Sequence, residues 1–211
     1  MGTAIEIDIY SDLFMPYFFY KCESSENGVC TLDEYSRGLI YFKRKTFKEL
    51  KNDYLTVKEK LIKVEYNLGK SYSRSANSVY QNRNEDETDE FKKFYLWLFE
   101  FNNMNKKDKK DKKIQFEIAK FYWEALFCGY NFIKNFIEYL ENEKKIEFIK
   151  QDQWNCLLEL VRHSKNNFPK DYSLDDSWPT LFDDFYIFYC KANGIEVIMP
   201  QENFGQFNNG D

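Results

Sequence analysis

The chain has 211 residues, 43% of them hydrophobic and 19% aromatic, with 30 basic against 35 acidic residues and a formal net charge of −5. Roughly 70% of the unfolded surface of a chain this long is buried on folding, and the aromatic content excludes wholesale disorder. The acidic balance argues against a general nucleic-acid binder, which carries a basic excess on its binding face.

The pattern along the chain is nearly all helical. Ser11 to Cys22 is an aromatic-rich helix in which Pro16 either makes a kink or sits in the first turn. Thr31 to Phe42 is a second helix. Thr31 is its expected N-cap, and Glu34 stands three residues on, the capping-box spacing. Phe47 to Tyr66 carries apolar residues at helical spacing. Residues 69 to 90 are rich in Ser, Asn, Asp and Glu and read as a long loop.

Phe91 to Phe101 resumes with Phe94, Trp97, Leu98 and Phe101 on one face. Residues 105 to 113 form a lysine-rich linker, with Asp108 and Asp111 diluting any phosphate-binding character. Ile114 to Phe127 is an amphipathic helix, with Gly129 at the place of a helix-ending glycine. Phe132 to Leu140 follows. Trp154 to Val161 is next, with Asp152 able to cap its start. Pro179 opens the last helix, whose inner face is Phe182, Phe185, Tyr186 and Tyr189.

Candidate chemistry is sparse. The five Cys (22, 30, 128, 156 and 190) form no CxxC pair, which fits reduced thiols in the cytoplasm and nucleus. No apolar run reaches transmembrane length. His163 is the only histidine, which excludes a multi-His metal site, and it stands near a helix end where it complements the last carbonyls. No Gly-rich phosphate loop or nucleophile motif is present. The pairs Asp175–Asp176 and Asp183–Asp184 are sequence neighbours, about 100° apart on a helix, so they do not face one another across a cleft. Residues 23 to 34 place Gly28 and Glu34 at the sixth and twelfth positions of an EF-hand loop, but Glu23, Ser25 and Asn27 stand where Asp is usual. The expected geometry is an EF-hand-like helix-loop-helix without the metal, and no cofactor is expected.

The most informative segment is Gln151 to Tyr189. It holds two Trp (154 and 178) and six Asp (152, 171, 175, 176, 183 and 184), an arrangement suited to a basic partner. Asp152-x-Trp154-Asn155-x-Leu157-Leu158-Glu159, a D-rich turn, and Trp178-Pro179-x-Leu181-x-Asp183-Asp184-Phe185 resemble the signature of the defective-in-cullin-neddylation protein 1-like family, the PONY/DCUN1 domain. FKKFYLWLFEF (91–101), EIAKFYW (117–123) and the stretch from Tyr35 and Gly38 to Leu50 resemble further family segments. The resemblance covers residues 7–190, interrupted by an insertion at about 69–90 and the linker at 105–113, and leaves 191–211 as a flexible tail.

That resemblance implies an all-α fold, an EF-hand-like helix-loop-helix packed on a C-terminal helical bundle. It implies a non-catalytic accessory ligase within the cullin-RING ligase complex, a scaffold without its own active site. Such a scaffold promotes cullin neddylation by binding the cullin C-terminal winged-helix region and the acetylated N-terminus of the neddylation conjugating enzyme. Neither nucleic acid nor membrane is an expected partner. The implied cullin-binding residues are Asp152, Ser177 and Asp183, with Ser177 standing where the family has Ala. The implied pocket for the conjugating enzyme comprises Met15, Phe18, Phe19, Cys22, Cys30, Phe101, Tyr122 and Ala125, with Phe18 and Phe19 bulkier than the family's aliphatics. Against the family pattern the ubiquitin-associated domain is missing and the first helix-loop-helix largely so before Ile7, and truncation, divergence and a fragment are the three readings of the N-terminus. The alternative function is an EF-hand-like, calcium-responsive adaptor with no role in neddylation. An enzyme using acidic residues ranks last.

Overall fold

The structure is a computed structural model that describes residues 13–26, 29–50, 90–104, 110–164 and 167–199. Among these it is built from helices and one small antiparallel ribbon, an all-α architecture. Helices α1 (Phe14–Cys22) and α2 (Leu32–Phe42) form a pair, followed by the short α3 (Phe47–Leu50). Next come α4 (Glu90–Asn102), β1 (Lys113–Gln115), α5 (Phe116–Leu126) and α6 (Asn131–Glu138). A π-helical turn (Tyr139–Lys144) leads to β2 (Phe148–Lys150), α7 (Gln151–Ser164) and α8 (Thr180–Ala192).

Local chemistry sets the helix ends. Pro16 lies buried in the first turn of α1, where a missing N–H costs least. The capping box at α2 forms as its spacing predicts. Glu34 N–H donates to Thr31 Oγ1 (3.3 Å), and Thr31 N–H donates to Glu34 Oε2 (2.7 Å). Both α1 and α2 end on a left-handed residue that is not glycine, Glu23 and Lys43, each at φ 55°.

The α1–α2 contact turns on Gly38. A Cβ there would lie 2.4 Å from Cys22 Sγ and 2.9 Å from Phe18 Cε2. Both neighbours are buried and cannot swing away. Gly38→Ala therefore forces the two helices apart, and a loss of about 1–3 kcal/mol is expected in urea unfolding despite alanine's better helix propensity.

The core is aromatic and centred on Trp154 of α7, which is fully buried. Its ring stacks on Tyr95 at 4.3 Å and on Trp123 at 5.6 Å. Three hydrogen bonds satisfy the polar edges of this cluster: Trp154 Nε1–H to Tyr95 O (3.1 Å), Tyr95 OH to Trp154 O (2.8 Å) and Trp123 Nε1–H to Tyr95 OH (3.1 Å). Helices α4, α5 and α7 are thereby fixed to one another.

Several expectations change. The helix expected from Ile114 begins at Phe116, because Lys113–Gln115 pairs with Phe148–Lys150 in the register Lys113↔Lys150, Ile114↔Ile149, Gln115↔Phe148. Ile114 and Ile149 are fully buried, so the ribbon seals one side of the core. Phe127 closes α5 at φ −111°, so Gly129 is not its left-handed cap. Helix α6 stops at Glu138 and runs into the π-helical turn, which carries the chain on to Lys144.

Asp152 does not cap α7. The helix starts at Gln151, and Gln153 accepts the Lys150 N–H instead (2.9 Å), leaving Asp152 inside the first turn. Residues 191–199, expected in a flexible tail, complete α8 and fold back on it. Ile195 N–H reaches Cys190 O (2.9 Å), and Ile198 N–H reaches the Tyr186 hydroxyl (3.3 Å). The long loop and insertion except Glu90, which opens α4, most of the Phe47–Tyr66 helix, Ser11, Asn27, Gly28, Asp108 and residues 200–211 lie outside the described residues.

Candidate functional site

Asp183 stands in the first turn of α8, where the helix dipole favours a carboxylate. It is half-buried, and its Oδ1 accepts a hydrogen bond from the Tyr172 hydroxyl at 2.7 Å. Tyr172 comes from the irregular chain before α8. Its ring is buried and stacks on Tyr186 (4.8 Å, 21°) and on Trp178 (5.9 Å, 24°). Burial raises the Tyr172 phenol above its ordinary range, and the hydrogen bond to Asp183 raises it further. The phenol therefore stays a donor, and Asp183 the acceptor.

Ser177 is exposed and directly precedes Trp178. The turn that presents it is fixed by Asp176 N–H to Ser173 O (3.3 Å) and Trp178 N–H to Asp176 O (2.9 Å). Trp178 is half-buried, and its Nε1–H has no hydrogen-bond partner among the described residues. Asp183 is thus joined to Tyr172, which stacks on Trp178, the residue that follows Ser177.

Asp152 is exposed at the start of α7. The other end of that helix carries His163, whose ring lies 6.2 Å from Trp178. The eleven helical steps from one to the other span about 16 Å of helix axis. His163 is exposed in the last turn, beside the indole.

The adjacent carboxylates part company as helical geometry requires. Asp183 goes to Tyr172, while Asp184 pairs with Lys144 at 2.6 Å on a second flank. That second flank is an open groove of about 360 Å³ between the π-helical turn and α8, with Tyr139, Ile187 and Phe188 among its lining residues. Nothing in the sequence pattern marks this groove, because it depends on the π-helical turn.

The residues implied for the conjugating-enzyme pocket come from α1, its loop, α4 and α5. Phe18 and Cys22 are fully buried, and Phe101 and Tyr122 nearly so. Met15, Phe19, Cys30 and Ala125 are half-buried. The Phe19 ring lies 5.9 Å from Phe101, and Phe101 stacks on Trp97 at 4.3 Å. Phe18 packs inward against Tyr35 and Phe42. Tyr122 OH is held by Asn102 Nδ2 (3.2 Å), and burial pushes its phenol up to about 12. Cys22 is also pushed up to about 12, by burial first and by the neighbouring Cys30 thiol next. All five cysteines are free thiols.

Glu34, the last position of the loop read in sequence as EF-hand-like, is engaged by its own chain. Beyond the capping box it accepts from Ser25 N–H (3.1 Å) and Ser25 Oγ (3.2 Å). The Thr31 N–H, opposed by burial and aided by Ser25, holds its carboxyl below the usual carboxylate range. A depressed folded-state value contributes stability above the unfolded value of about 4.3, lost as pH falls through the lower one. Melting temperature should therefore drop on acidification below about pH 4.3, and Glu34→Gln should remove that part of the drop. An unchanged acid profile in Glu34→Gln would show that the clasp contributes nothing. Among the described residues no cluster of three His, Cys, Asp or Glu could hold a metal ion, and no helix is long and apolar enough to cross a membrane.

The described residues thus form an all-α fold with carboxylates on an aromatic-backed surface. The model of the cullin-binding family matches residues 71–188, more than half of the chain, and the chain belongs to that family. It is also similar to DCN1-like protein 3 of Rattus norvegicus and of Mus musculus, 29% identical to each over 114 residues. The alignment takes in 53% of this chain and 36% of each relative, so the chain matches about a third of their length.

Proposed function

We propose that this chain is a non-catalytic scaffold of cullin neddylation that works in the cytoplasm and nucleus. One surface, built from Asp152, Ser177 and Asp183, takes the basic C-terminal winged-helix region of a cullin. The region around Met15, Phe18, Phe19, Cys22, Cys30, Phe101, Tyr122 and Ala125 takes the N-terminus of the neddylation conjugating enzyme. Holding two macromolecules at a fixed separation makes the transfer effectively intramolecular without any covalent step on the scaffold.

The observation that carries the reading is the membership of the cullin-binding family, whose match spans the Asp152-to-Asp183 segment. The ordered carboxylate of Asp183 supports it. The calcium-responsive alternative turns on Glu34, whose carboxylate is committed to Ser25 and Thr31.

Calorimetric titration of a cullin winged-helix fragment into the chain tests the proposal. Saturable binding that Asp152→Ala with Asp183→Ala abolishes is the expected result. No binding by the unmutated chain, or equal binding by the double variant, sinks it.

A further inference from the structure

The ring of Tyr172 is immobilised. It is stacked on one side by Tyr186 and also lies nearly parallel to Trp178, with Phe168 edge-on at 5.8 Å. It is 5% exposed, so the hydroxyl has essentially one direction to point. That direction is Asp183 Oδ1, at a distance for a short, charge-assisted bond. The same packing is anchored from behind, because the returning segment donates Ile198 N–H to the Tyr186 hydroxyl. A half-buried Asp at a helix start would otherwise sample several rotamers. One of its two carboxylate oxygens is engaged by Tyr172, and the carboxylate has further acceptor capacity.

We propose that Tyr172 is a positioning residue that presets the Asp183 carboxylate for a cationic partner side chain. It acts through Asp183 and makes no contact with the partner. The proposal rests on the reading of Asp183 as a partner-binding residue, and it assigns the affinity of that site to pre-organisation as well as charge. A preset carboxylate needs no ordering when the partner arrives, and ordering a side chain at an interface weakens binding by about three- to ten-fold.

The test is a double-mutant cycle on the full chain with a cullin winged-helix fragment, read by calorimetry. Tyr172→Phe keeps the ring and its stacking and removes only the hydroxyl. It should bind about three- to ten-fold more weakly than the unmutated chain. In an Asp183→Asn background the same change should have no further effect. Equal losses in both backgrounds would make Tyr172 a packing residue and overturn the proposal, as would undiminished binding by Tyr172→Phe.

A second readout needs no partner. The Asp183 side-chain couplings, measured by NMR on the free chain, should report one χ1 rotamer in the unmutated protein and averaging in Tyr172→Phe. Averaging in both overturns the proposal. If the rotamer result holds while the cullin fragment fails to bind, the error lies in the identity of the partner and not in the role of Tyr172.

Discussion

Trp154→Ala should cost about 3–5 kcal/mol. The indole is fully buried and touches Tyr95, Phe99, Tyr122 and Trp123, which belong to two different helices. Removing it leaves a cavity walled by large rings. These cannot collapse inward, because Tyr95 and Trp123 are tied to each other by a hydrogen bond. The Trp154 Nε1–H bond to the α4 backbone is lost as well. A domain of this kind has roughly 5–15 kcal/mol in total, so the variant sits near the edge of folding. Urea unfolding followed by far-ultraviolet circular dichroism gives the measurement, with a lower midpoint at unchanged slope. A loss under about 1 kcal/mol would mean that α4, α5 and α7 are held together elsewhere.

The family motif and the stability of the chain meet at this residue. In sequence, Trp154 reads as an anchor beside acidic groups; in three dimensions it is the centre of the core, and the acidic groups are what its helix displays. Helical spacing made most of this legible. The faces of α4, α5 and α8 follow the apolar period, and the Thr31–Glu34 capping box follows from a fixed spacing of three.

What the sequence hides is of another kind. The ribbon of Lys113–Gln115 with Phe148–Lys150 joins segments more than thirty residues apart, and neither is long enough to show a period of two. Asp152 is not the helix cap expected of it, because strand β2 runs straight into α7 and starts the helix at Gln151, three residues before Trp154, where Gln153 accepts the Lys150 N–H. Tyr172 is the clearest omission at the site. It lies in irregular chain, eleven residues before its carboxylate partner, where no local pattern links the two. Only the packing of Phe168, Trp178 and Tyr186 around it defines the hydroxyl's direction.

The two acidic residues of the proposed cullin surface should therefore differ in weight. Asp183 is half-buried and already hydrogen-bonded, so a cation that reaches it is largely desolvated. Truncating one partner of such a pair costs about 2–5 kcal/mol in binding. Asp152 is exposed in the first turn of α7, so its contribution is that of a rim charge, below about 1 kcal/mol. Asp183→Ala also strands the Tyr172 hydroxyl, which is buried with no other hydrogen-bond partner among the described residues, so Asp183→Asn, which keeps an acceptor oxygen there, separates affinity from folding. Calorimetry should show Asp183→Asn losing far more affinity than Asp152→Asn. Stopped-flow mixing should place the Asp152 effect in a salt-sensitive association rate and the Asp183 effect in dissociation. Raising salt from about 0.05 to 0.5 M should narrow the gap between the unmutated chain and Asp152→Asn, because exposed charges are screened first. The gap to Asp183→Asn should persist, since a half-buried, hydrogen-bonded carboxylate is screened much less. Equal losses for the two variants, or equal salt sensitivity, would show that the Tyr172–Trp178 cluster does not set the hierarchy of the surface.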